Sequence, residues 1–287
     1  MVRLLFVGLA RLLLIMLLAS FAGALLLRAA PGFASDEREL NGTLSGQSIQ
    51  AIRQEHLAQS NIPRFYGHYL KSLLRGDLGT SMSLNQPVRD LLRERLPVTL
   101  RALGFALLAA WGIGLGLALA AQTFRSRILL AATEGASGIF ISTPAAALAL
   151  IFVLLRLPPV WAPALLVFPK IHRYSSNLLG ECYALPHVLT ARAKGAGRAR
   201  ILFWHVAPSA WPQLLALLGV SISIALGVLL PIEVVCDLPG IGQLAWQAAQ
   251  SRDLTLLVNL TVVVTFLTVI ATTFSAAAQA RDARSMA

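Results

Sequence analysis

Few side chains in this sequence have the types and spacing that catalysis or metal binding requires. The histidines show no HExxH spacing, which would place two zinc ligands on one helical face, and no GxSxG elbow presents a nucleophilic serine. No GxxxxGK[ST] loop is present to hold the phosphates of ATP. The histidines are His56, His68, His172, His187 and His205. We therefore expect a protein without catalytic residues, metal ligands or a bound cofactor, and a membrane-embedded enzyme is disfavoured.

The charged residues are basic in balance but fall in short clusters. The sequence has 24 Lys and Arg against 13 Asp and Glu, a formal net charge of +11. A nucleic-acid-binding protein would place such charge along one face, whereas these clusters separate long apolar runs. Lys and Arg are enriched in the cytoplasmic loops of membrane proteins. The clusters are therefore expected to set membrane topology, and no nucleic acid is expected as a partner.

The elements that position these charges are apolar helices. Of 287 residues, 56% are hydrophobic and 13% are charged, and the mean hydropathy is +0.70; soluble domains carry about 25% charged residues. Several apolar runs reach the roughly 20 helical residues that cross a hydrocarbon layer of about 30 Å. The sequence predicts an all-α integral membrane protein with about six transmembrane helices. They are placed at residues 12–27, 100–121, 128–155, 160–168, 214–235 and 254–278.

The spans differ in how clearly the sequence marks them. The first could also be a signal peptide, but without a convincing cleavage site it is interpreted as an uncleaved span. The fourth is short and continues through Pro169 into Lys170, so it must be sheltered by protein or continue as a partly polar helix. Small residues such as Gly112 and Gly116 predict close, sliding helix interfaces. The same packing is expected at Gly104, Gly114, Gly135 and Gly138.

Six spans place both termini on one side of the membrane. With the termini in the cytoplasm, the inner segments hold twelve basic and three acidic residues, whereas the long segment 31–95 holds eight basic and seven acidic ones. This predicts a multi-pass membrane protein with both termini in the cytoplasm, an N-terminal helix (1–30), an extracytoplasmic loop (31–95) and a five-helix core (96–287). Cys182 and Cys236 then fall on opposite sides, which excludes a disulfide and leaves packing roles.

The stretch 187–208, between the fourth and fifth spans, is the most informative. It predicts a short basic helix, a turn at Gly195 to Gly197, and a second amphipathic helix that leads to Pro208 and Pro212. Such a helix-turn-helix could lie on the membrane surface with its Lys and Arg against anionic lipid headgroups. Alternatively, its exposed face could dock into a cleft of a soluble partner and transmit movement to the spans.

This stretch resembles the coupling motif of ABC importer permeases, in which a glutamate, two alanines and a glycine are followed by a segment ending in proline. The glutamate position holds Leu189, and Gly195 and Pro208 occupy the glycine and proline positions. The stretch is most similar to the motif of the dipeptide, oligopeptide and nickel permease family. The residues that carry this resemblance, and that it assigns to ATPase coupling, are Thr190, Ala191, Arg192, Ala193, Lys194, Gly195, His205 and Pro208.

Two further stretches support the narrower resemblance. Residues 76–81, followed by Pro87 and by 95–100, are similar to the family's segment before the second span. Residues 233–242, followed by Arg252 and Asp253, resemble its outer re-entrant loop. The resemblance therefore implies a set of outer-mouth residues that contact a binding protein or form a gate. They are Gly76, Asp77, Gly79, Glu233, Asp237, Pro239, Gly240 and Gly242.

The resemblance implies an ATP-driven importer of a bacterial plasma (inner) membrane, in which this chain forms half of the pathway by alternating access. The implied cargo is a peptide or similar small ligand, nickel and metal chelates included. The implied partners are two ABC ATPase subunits, which use ATP and Mg, a second homologous permease subunit, an extracytoplasmic substrate-binding protein and membrane lipid. One ATPase would receive the coupling helix within the cytoplasmic loop at about 183–211. The alternative is a secondary transporter or channel subunit, against which the sparse intramembrane charge argues.

The chain also departs from the family pattern. Cys236 stands where phenylalanine is usual, and the outer segment between the third and fourth spans is only the short run 156–159. Near the C-terminus, Arg281 to Arg284 stand where an aspartate-proline is usual. The short outer segment bears on ligand specificity and on contacts with a binding protein.

Overall fold

The computed structural model describes residues 14–23, 25, 62–73, 75–124 and 127–285. The structure in these ranges is largely helical, which confirms the predicted all-α membrane fold. The flanks of the first predicted span, most of the predicted outer loop before residue 62, and Arg3, Arg11 and Arg125 lie outside the described residues. The helices are α1 (Leu14–Gly23), α2 (Ile62–Leu73), α3 (Val88–Phe124), α4 (Arg127–Ser142), α5 (Ala145–Leu154), α6 (Trp161–Tyr183), α7 (Pro186–Ala193), α8 (Arg198–Ile201), α9 (Ala207–Val235), α10 (Ile241–Gln250) and α11 (Leu254–Ser285).

Two shorter elements complete the described structure. The strands β1 (Thr80–Ser81) and β2 (Gln86–Pro87) form an antiparallel hairpin in which Ser81 pairs with Gln86. A π-helical turn, Leu202–Val206, joins α8 to α9 without a break. π-Helical turns are rare and occur frequently at functional sites.

Long apolar helices account for the second, fifth and sixth predicted spans. Val88–Gln122, Arg198–Val235 and Leu254–Thr273 are long and apolar enough to cross a membrane, and the bent pair α4 and α5 adds a fourth span if it is counted as one. Within the described ranges, three or four of the six predicted spans therefore meet this criterion. Helix α1 is described only over Leu14–Gly23, a length below the roughly 20 residues of a crossing.

The third predicted span, 128–155, is not one continuous helix. Its axis bends by 100° between α4 and α5. Pro144, which lacks a backbone N–H, lies at the break with φ −63° and ψ 141°, and a residue before proline is disfavoured in the α region. The hydroxyls of Ser142 and Thr143 donate to the Ile139 carbonyl at 3.0 and 2.8 Å, which satisfies an acceptor at the end of α4. The third predicted span is therefore a bent helix pair, either a broken span or a re-entrant loop.

Helix α6 extends the short fourth apolar segment to 23 residues. It packs against α4 and α9, and its buried side chains include Val167 and Ile171. Lys170 and Arg173 occupy exposed positions, and Arg173 Nε lies 3.8 Å from Glu134 Oε2. The prediction of a partly polar and partly sheltered helix is therefore confirmed.

The chain forms two compact units, each with its own packing. The first unit comprises Met1–Val98 and Pro239–Leu267. In it, Tyr66 and Tyr69 of α2 pack against Leu254 and Val258 of α11. The Tyr66 hydroxyl also donates to the Leu17 carbonyl of α1 at 2.7 Å. The two tyrosine rings thus join α1, α2 and α11. Each ring is buried, and its hydroxyl has a hydrogen-bond acceptor.

The second unit comprises Thr99–Leu238 and Thr268–Ala287. One apolar cluster joins α5, α6 and α9, with Phe152 and Ile232 among its buried residues. A second cluster joins α3, α6, α7, α8 and α9 and includes Cys182. Cys236 packs at the edge of the first cluster. Both cysteines are free thiols, as predicted.

Close helix approach in this unit occurs at glycines other than Gly112 and Gly116. A Cβ on Gly114 of α3 would lie 2.9 Å from the Phe168 carbonyl oxygen of α6, and one on Gly219 of α9 would lie 2.7 Å from the Ser275 Cβ of α11. Gly112 and Gly116 are exposed, and a Cβ there would meet no heavy atom of the described residues within 4 Å. The packing predicted at these two glycines is therefore not found within the described chain. Gly104, Gly135 and Gly138 have the same open surroundings.

Alanine substitutions at Gly114 and Gly112 should have opposite effects on stability. Gly114→Ala forces the α3 and α6 backbones apart, and overpacking of this kind costs about 1–3 kcal/mol. Gly112→Ala meets open space and should be neutral or stabilising by about 0.5–1 kcal/mol, because glycine weakens a helix interior. Both effects are measured as changes in the melting temperature of the purified chain in detergent. Equal melting temperatures for the two variants would contradict the close approach at Gly114.

Candidate functional site

Helix α7 and the turn after it have a well-defined backbone. The helix begins with Pro186 in its first turn, where a missing N–H costs nothing, and ends at Ala193. Gly195 adopts φ +77°, and its N–H donates to the Arg192 carbonyl at 3.0 Å. The Ala196 N–H donates to the Ala191 carbonyl at 3.1 Å. This pair of bonds is the Schellman motif, in which glycine is the preferred left-handed residue.

One face of α7 is packed into the second unit. Val188 is fully buried and Ala191 is 9% exposed; Val188 lies in the cluster that includes Leu178 and Cys182 of α6. Ala191 is therefore on the inward side of α7 with Val188, because this side of the helix packs against the second unit. The ATPase-coupling role that the resemblance assigns to Ala191 stays a prediction.

The opposite face of α7 is open. Leu189 is 49% exposed, and Thr190, Arg192, Ala193 and Lys194 are exposed as well. The Thr190 hydroxyl donates to the Pro186 carbonyl of its own helix at 2.9 Å. The face thus presents a leucine, small side chains and a basic end. A surface of this kind suits burial against another protein better than a uniformly charged face would.

Helix α7 is connected to α9 by packing as well as by the chain. The rings of His187 and His205 stack with centroids 6.4 Å apart, and His187 Nε2 lies 3.4 Å from the His205 carbonyl oxygen. His205 belongs to the π-helical turn, and Pro208 follows in the first turn of α9. Helical geometry continues from Arg198 to Val235. The second helix of the predicted motif is therefore the beginning of the fifth span rather than a separate surface helix.

The glycine-rich segment before α3 forms a compact hairpin in the first unit. Gly76 adopts φ +77° and terminates α2, with its N–H donating to the Leu73 carbonyl at 2.9 Å. Gly79 has φ +73°, and its N–H donates to Asp77 Oδ1 at 2.9 Å. A Cβ on Gly79 would lie 3.2 Å from Thr255 Cγ2 of α11. These three predicted residues therefore shape a turn that fits closely against α11.

A buried polar network holds this hairpin against the start of α11. Asp253 is 1% exposed, and its Oδ2 accepts bonds from the Ser81 hydroxyl at 2.6 Å and the Ser83 N–H at 3.0 Å. Its Oδ1 accepts the Leu256 N–H at 3.0 Å, which caps α11. Asn259, one turn farther on, donates to the Leu78 carbonyl at 3.0 Å. One carboxylate thus satisfies donors from the hairpin and from the helix.

Tyr69 joins the same network and makes it sensitive to alkaline pH. Its hydroxyl donates to Asn259 Oδ1 at 3.2 Å. Burial, and secondarily the neighbouring Tyr66, raises the pKa of Tyr69 to about 12. A buried tyrosine whose pKa is raised binds its proton more tightly when folded. The stabilisation it gives is complete below about pH 10 and is lost as pH rises towards 12.

The free energy of unfolding should therefore fall between pH 10 and 12 by up to about 2 kcal/mol through Tyr69. Tyr69→Phe should remove this part of the pH dependence, because phenylalanine has no proton to release. Denaturant unfolding across this pH range compares the variant with the wild type. If the free energy of unfolding of Tyr69→Phe fell with pH as steeply as that of the wild type, Tyr69 would not be the cause of the pH dependence.

The remaining predicted outer residues lie in different surroundings. Glu233, in the last turn of α9 in the second unit, is fully buried, which does not suit a surface contact with a binding protein, and its alternative role in a gate stays a prediction. Asp237 is exposed beyond the end of α9 with φ +52°. In the first unit, Pro239 is exposed, whereas Gly240 and Gly242 are buried at the start of α10. Within the described ranges, no group of three His, Cys, Asp or Glu could hold a metal ion.

Comparison with known sequences decides between the remaining classes of transport protein. The profile of the family described as "Binding-protein-dependent transport system inner membrane component" matches residues 112–286. The chain belongs to this family. The match includes α7, Gly195 and the continuous helix from α8 to α9. The resemblance to ABC importer permeases is therefore confirmed, and the chain is a multi-pass inner membrane permease of this transport family.

Individual relatives of this permease cover most of its length. It is 26% identical to a probable peptide ABC transporter permease, y4tP of Sinorhizobium fredii, over 86% of this chain and 87% of the relative. It is 26% identical to the glutathione transport system permease GsiC of Pectobacterium atrosepticum, over 86% and 85%. It is 27% identical to GsiC of Escherichia coli, over 72% and 74%. The similarity to these relatives extends over 72% to 86% of the permease and not only over the coupling segment.

Sequence reasoning about this permease missed Ser81, Asn259 and the central role of Asp253. Asp253 stands directly before the apolar run of α11, which is a helix N-cap signal that could have been recognised. Its bond to Ser81 spans 172 residues of sequence, and no local pattern indicates such a partner.

Proposed function

We propose that this permease forms half of the translocation pathway of an ATP-driven importer, and that α7 with the Gly195 turn is the element gripped by an ATPase subunit. The observation that carries the proposal is the two-sided packing of α7. Val188 and Ala191 fix the helix to the bundle, while Leu189, Thr190 and Ala193 remain open to a partner. The proposal places this segment, and both termini, on the cytoplasmic side.

The connection from α7 to α9 supports transmission of movement. The His187 and His205 rings stack, and the helix from Arg198 runs into the span that ends at Val235. A displacement of α7 by a partner would therefore move the cytoplasmic end of α9 with it. Small shifts at packed interfaces change pore-lining helices between discrete arrangements, as alternating access requires.

The proposed complex contains components that this chain lacks. A second homologous permease would complete the pore, two ABC ATPase subunits would use ATP and Mg, and an extracytoplasmic binding protein would deliver cargo. The hairpin at Gly76, Asp77 and Gly79, together with Pro239, is the proposed outer surface for the binding protein. Its support is the exposure of Asp77 and Pro239, together with the Asp77 carboxylate, which accepts the Gly79 N–H at 2.9 Å and holds the shape of the turn.

The proposed cargo is a short peptide or a peptide-like compound such as glutathione. Support comes from the names of relatives that match this chain over most of its length, which describe a peptide and a glutathione permease. Nickel or a metal chelate, the other cargo implied by the sequence resemblance, stays a prediction. These candidate cargoes are compared by measuring the uptake of labelled dipeptide, glutathione and nickel by the reconstituted transporter.

The coupling proposal is tested by co-purification with candidate ATPase and second permease subunits. Ala193→Glu places a charge on the open face of α7, and desolvating it in an interface should lower ATPase recovery by about tenfold or more. Gln247→Glu adds the same charge at an exposed position of α10 and should leave recovery unchanged. Equal recovery with Ala193→Glu and wild type, or no ATPase with either, would refute the docking role of α7.

A further inference from the structure

The second unit contains a cavity beside the coupling segment. It has a volume of about 740 Å³ and lies between the ends of α3 and α6, the end of α7, and α8 with the π-helical turn. Its lining residues are Gln122, Gly180, Tyr183, Ala184, Arg192, Ala196, Arg198, Ala199, Ile201, Leu202 and Phe203. The volume is large enough for a small polar ligand or headgroup.

The polar side chains that line this cavity favour an anion. Arg192 and Arg198 approach it from the end of α7 and the start of α8, and none of the described residues that line it is Asp or Glu. Tyr183, at the end of α6, also lines the cavity, and its phenol O–H can donate to an anion. Guanidinium groups bind phosphate oxygens through paired N–H donors. A phosphate group therefore fits the polar side of the cavity.

The other residues that line the cavity include the apolar Ile201, Leu202 and Phe203. Phe203 is 68% exposed, and Trp204 and Trp211, farther along the same continuous helix, are 77% and 61% exposed. Tryptophan is enriched where membrane hydrocarbon meets water. The helix that carries these rings continues into an apolar span, so they lie near the end of a membrane-crossing segment. An occupant with acyl chains would have apolar surface to follow.

We propose that this cavity binds the headgroup phosphate of an anionic phospholipid, with Arg192 and Arg198 at the phosphate and the acyl chains running past Phe203. A headgroup held in this way would contact α7 and α8 together. A free phosphate ion would use the same arginines but would gain nothing from the aromatic side. The proposal does not depend on the coupling role of α7, because it concerns the cavity behind that helix.

The matched pair Arg198→Gln and Arg200→Gln tests the site. Both residues are exposed arginines of α8, but only Arg198 lines the cavity. Native mass spectrometry of the full chain in detergent, titrated with dioleoylphosphatidylglycerol, should show about tenfold weaker binding for Arg198→Gln, because a charge-assisted hydrogen bond is lost. Arg200→Gln should bind as the wild type does. Equal affinity in all three proteins would overturn the proposal.

Two further ligands identify what occupies the cavity. Dioleoylphosphatidylcholine has the same phosphate but also a choline cation, which the two arginines repel, so it should bind the wild type more weakly than the anionic lipid does. Equal binding of the two lipids would overturn the assignment to an anionic lipid. Inorganic phosphate should compete only at far higher concentration; competition at the same concentration as the lipid would overturn the lipid assignment in favour of a free anion. Phe203→Ala leaves both arginines in place and should weaken binding of the lipid but not of phosphate. Unchanged lipid affinity in Phe203→Ala would also count against the lipid.

Discussion

Replacing Gly195 with valine should lower ATP-driven uptake by the assembled transporter by about tenfold or more. Gly195 ends α7 at φ +77°, a conformation that costs an L-residue about 1–2 kcal/mol and a β-branched residue more. Relief of this strain would rotate the chain out of the left-handed region and break the bonds that the Gly195 and Ala196 N–H groups make to α7. The open face of α7 would then no longer be held in one orientation towards an ATPase.

Two control variants separate backbone conformation from other effects of the substitution. Gly195→Asn should retain most uptake, because asparagine tolerates the left-handed region. Gly197→Ala should also be mild, since Gly197 has φ −64° and a Cβ there meets no described heavy atom within 4 Å. Uptake of labelled dipeptide and ATP hydrolysis are measured together in proteoliposomes. Similar uptake by the valine and asparagine variants would contradict a role for the Gly195 conformation.

The second large effect is expected for Asp253→Ala, which should lower the free energy of unfolding by about 3 kcal/mol or more. The substitution leaves the buried Ser81 hydroxyl and the Ser83 and Leu256 N–H groups without the carboxylate that accepts their bonds. Each buried donor left unsatisfied costs about 1–3 kcal/mol. Asp253→Asn keeps the shape and one acceptor oxygen, so its loss should be smaller.

Melting temperature and limited proteolysis measure this effect. Asp253→Ala should melt well below the wild type and be cut more rapidly in the hairpin, because the hairpin loses its attachment to α11. Asp77→Ala removes an exposed carboxylate that accepts one bond within its own turn and should cost less than about 1 kcal/mol. If Asp253→Ala and Asp77→Ala had the same melting temperature, the network would not stabilise the hairpin as described.

The coupling segment was largely predictable from sequence because its signals are local. A basic amphipathic helix, Gly195 after it and Pro208 beyond lie within 22 residues, and the structure has a helix, a left-handed glycine and a second helix in that order. Long apolar runs likewise predicted α9 and the apolar part of α11, since hydrocarbon requires a continuous helix. The family resemblance added what composition cannot give, namely the class of transporter.

Features that depend on long-range contacts were not predictable. Sequence does not show which face of α7 packs inward, so Ala191 was placed at the partner surface although it is nearly buried. Glu233 is a charged residue in the stretch that resembles the outer loop, yet it is fully buried in the second unit. No local pattern in the sequence indicates this burial. Gly114 and Gly112 are two residues apart and look alike in sequence, yet only Gly114 meets another helix.

The bend between α4 and α5 has two separate requirements, and this separation bears on how the permease responds to mutation. Pro144 prevents the helix from continuing, while Ser142 and Thr143 supply hydroxyl donors to the carbonyls at its end. Replacing the proline would remove the block that forces the bend, whereas replacing one hydroxyl would leave the break with fewer donors for those carbonyls. The shape of this segment therefore depends on the proline, and its compatibility with a hydrocarbon environment depends on the two hydroxyls.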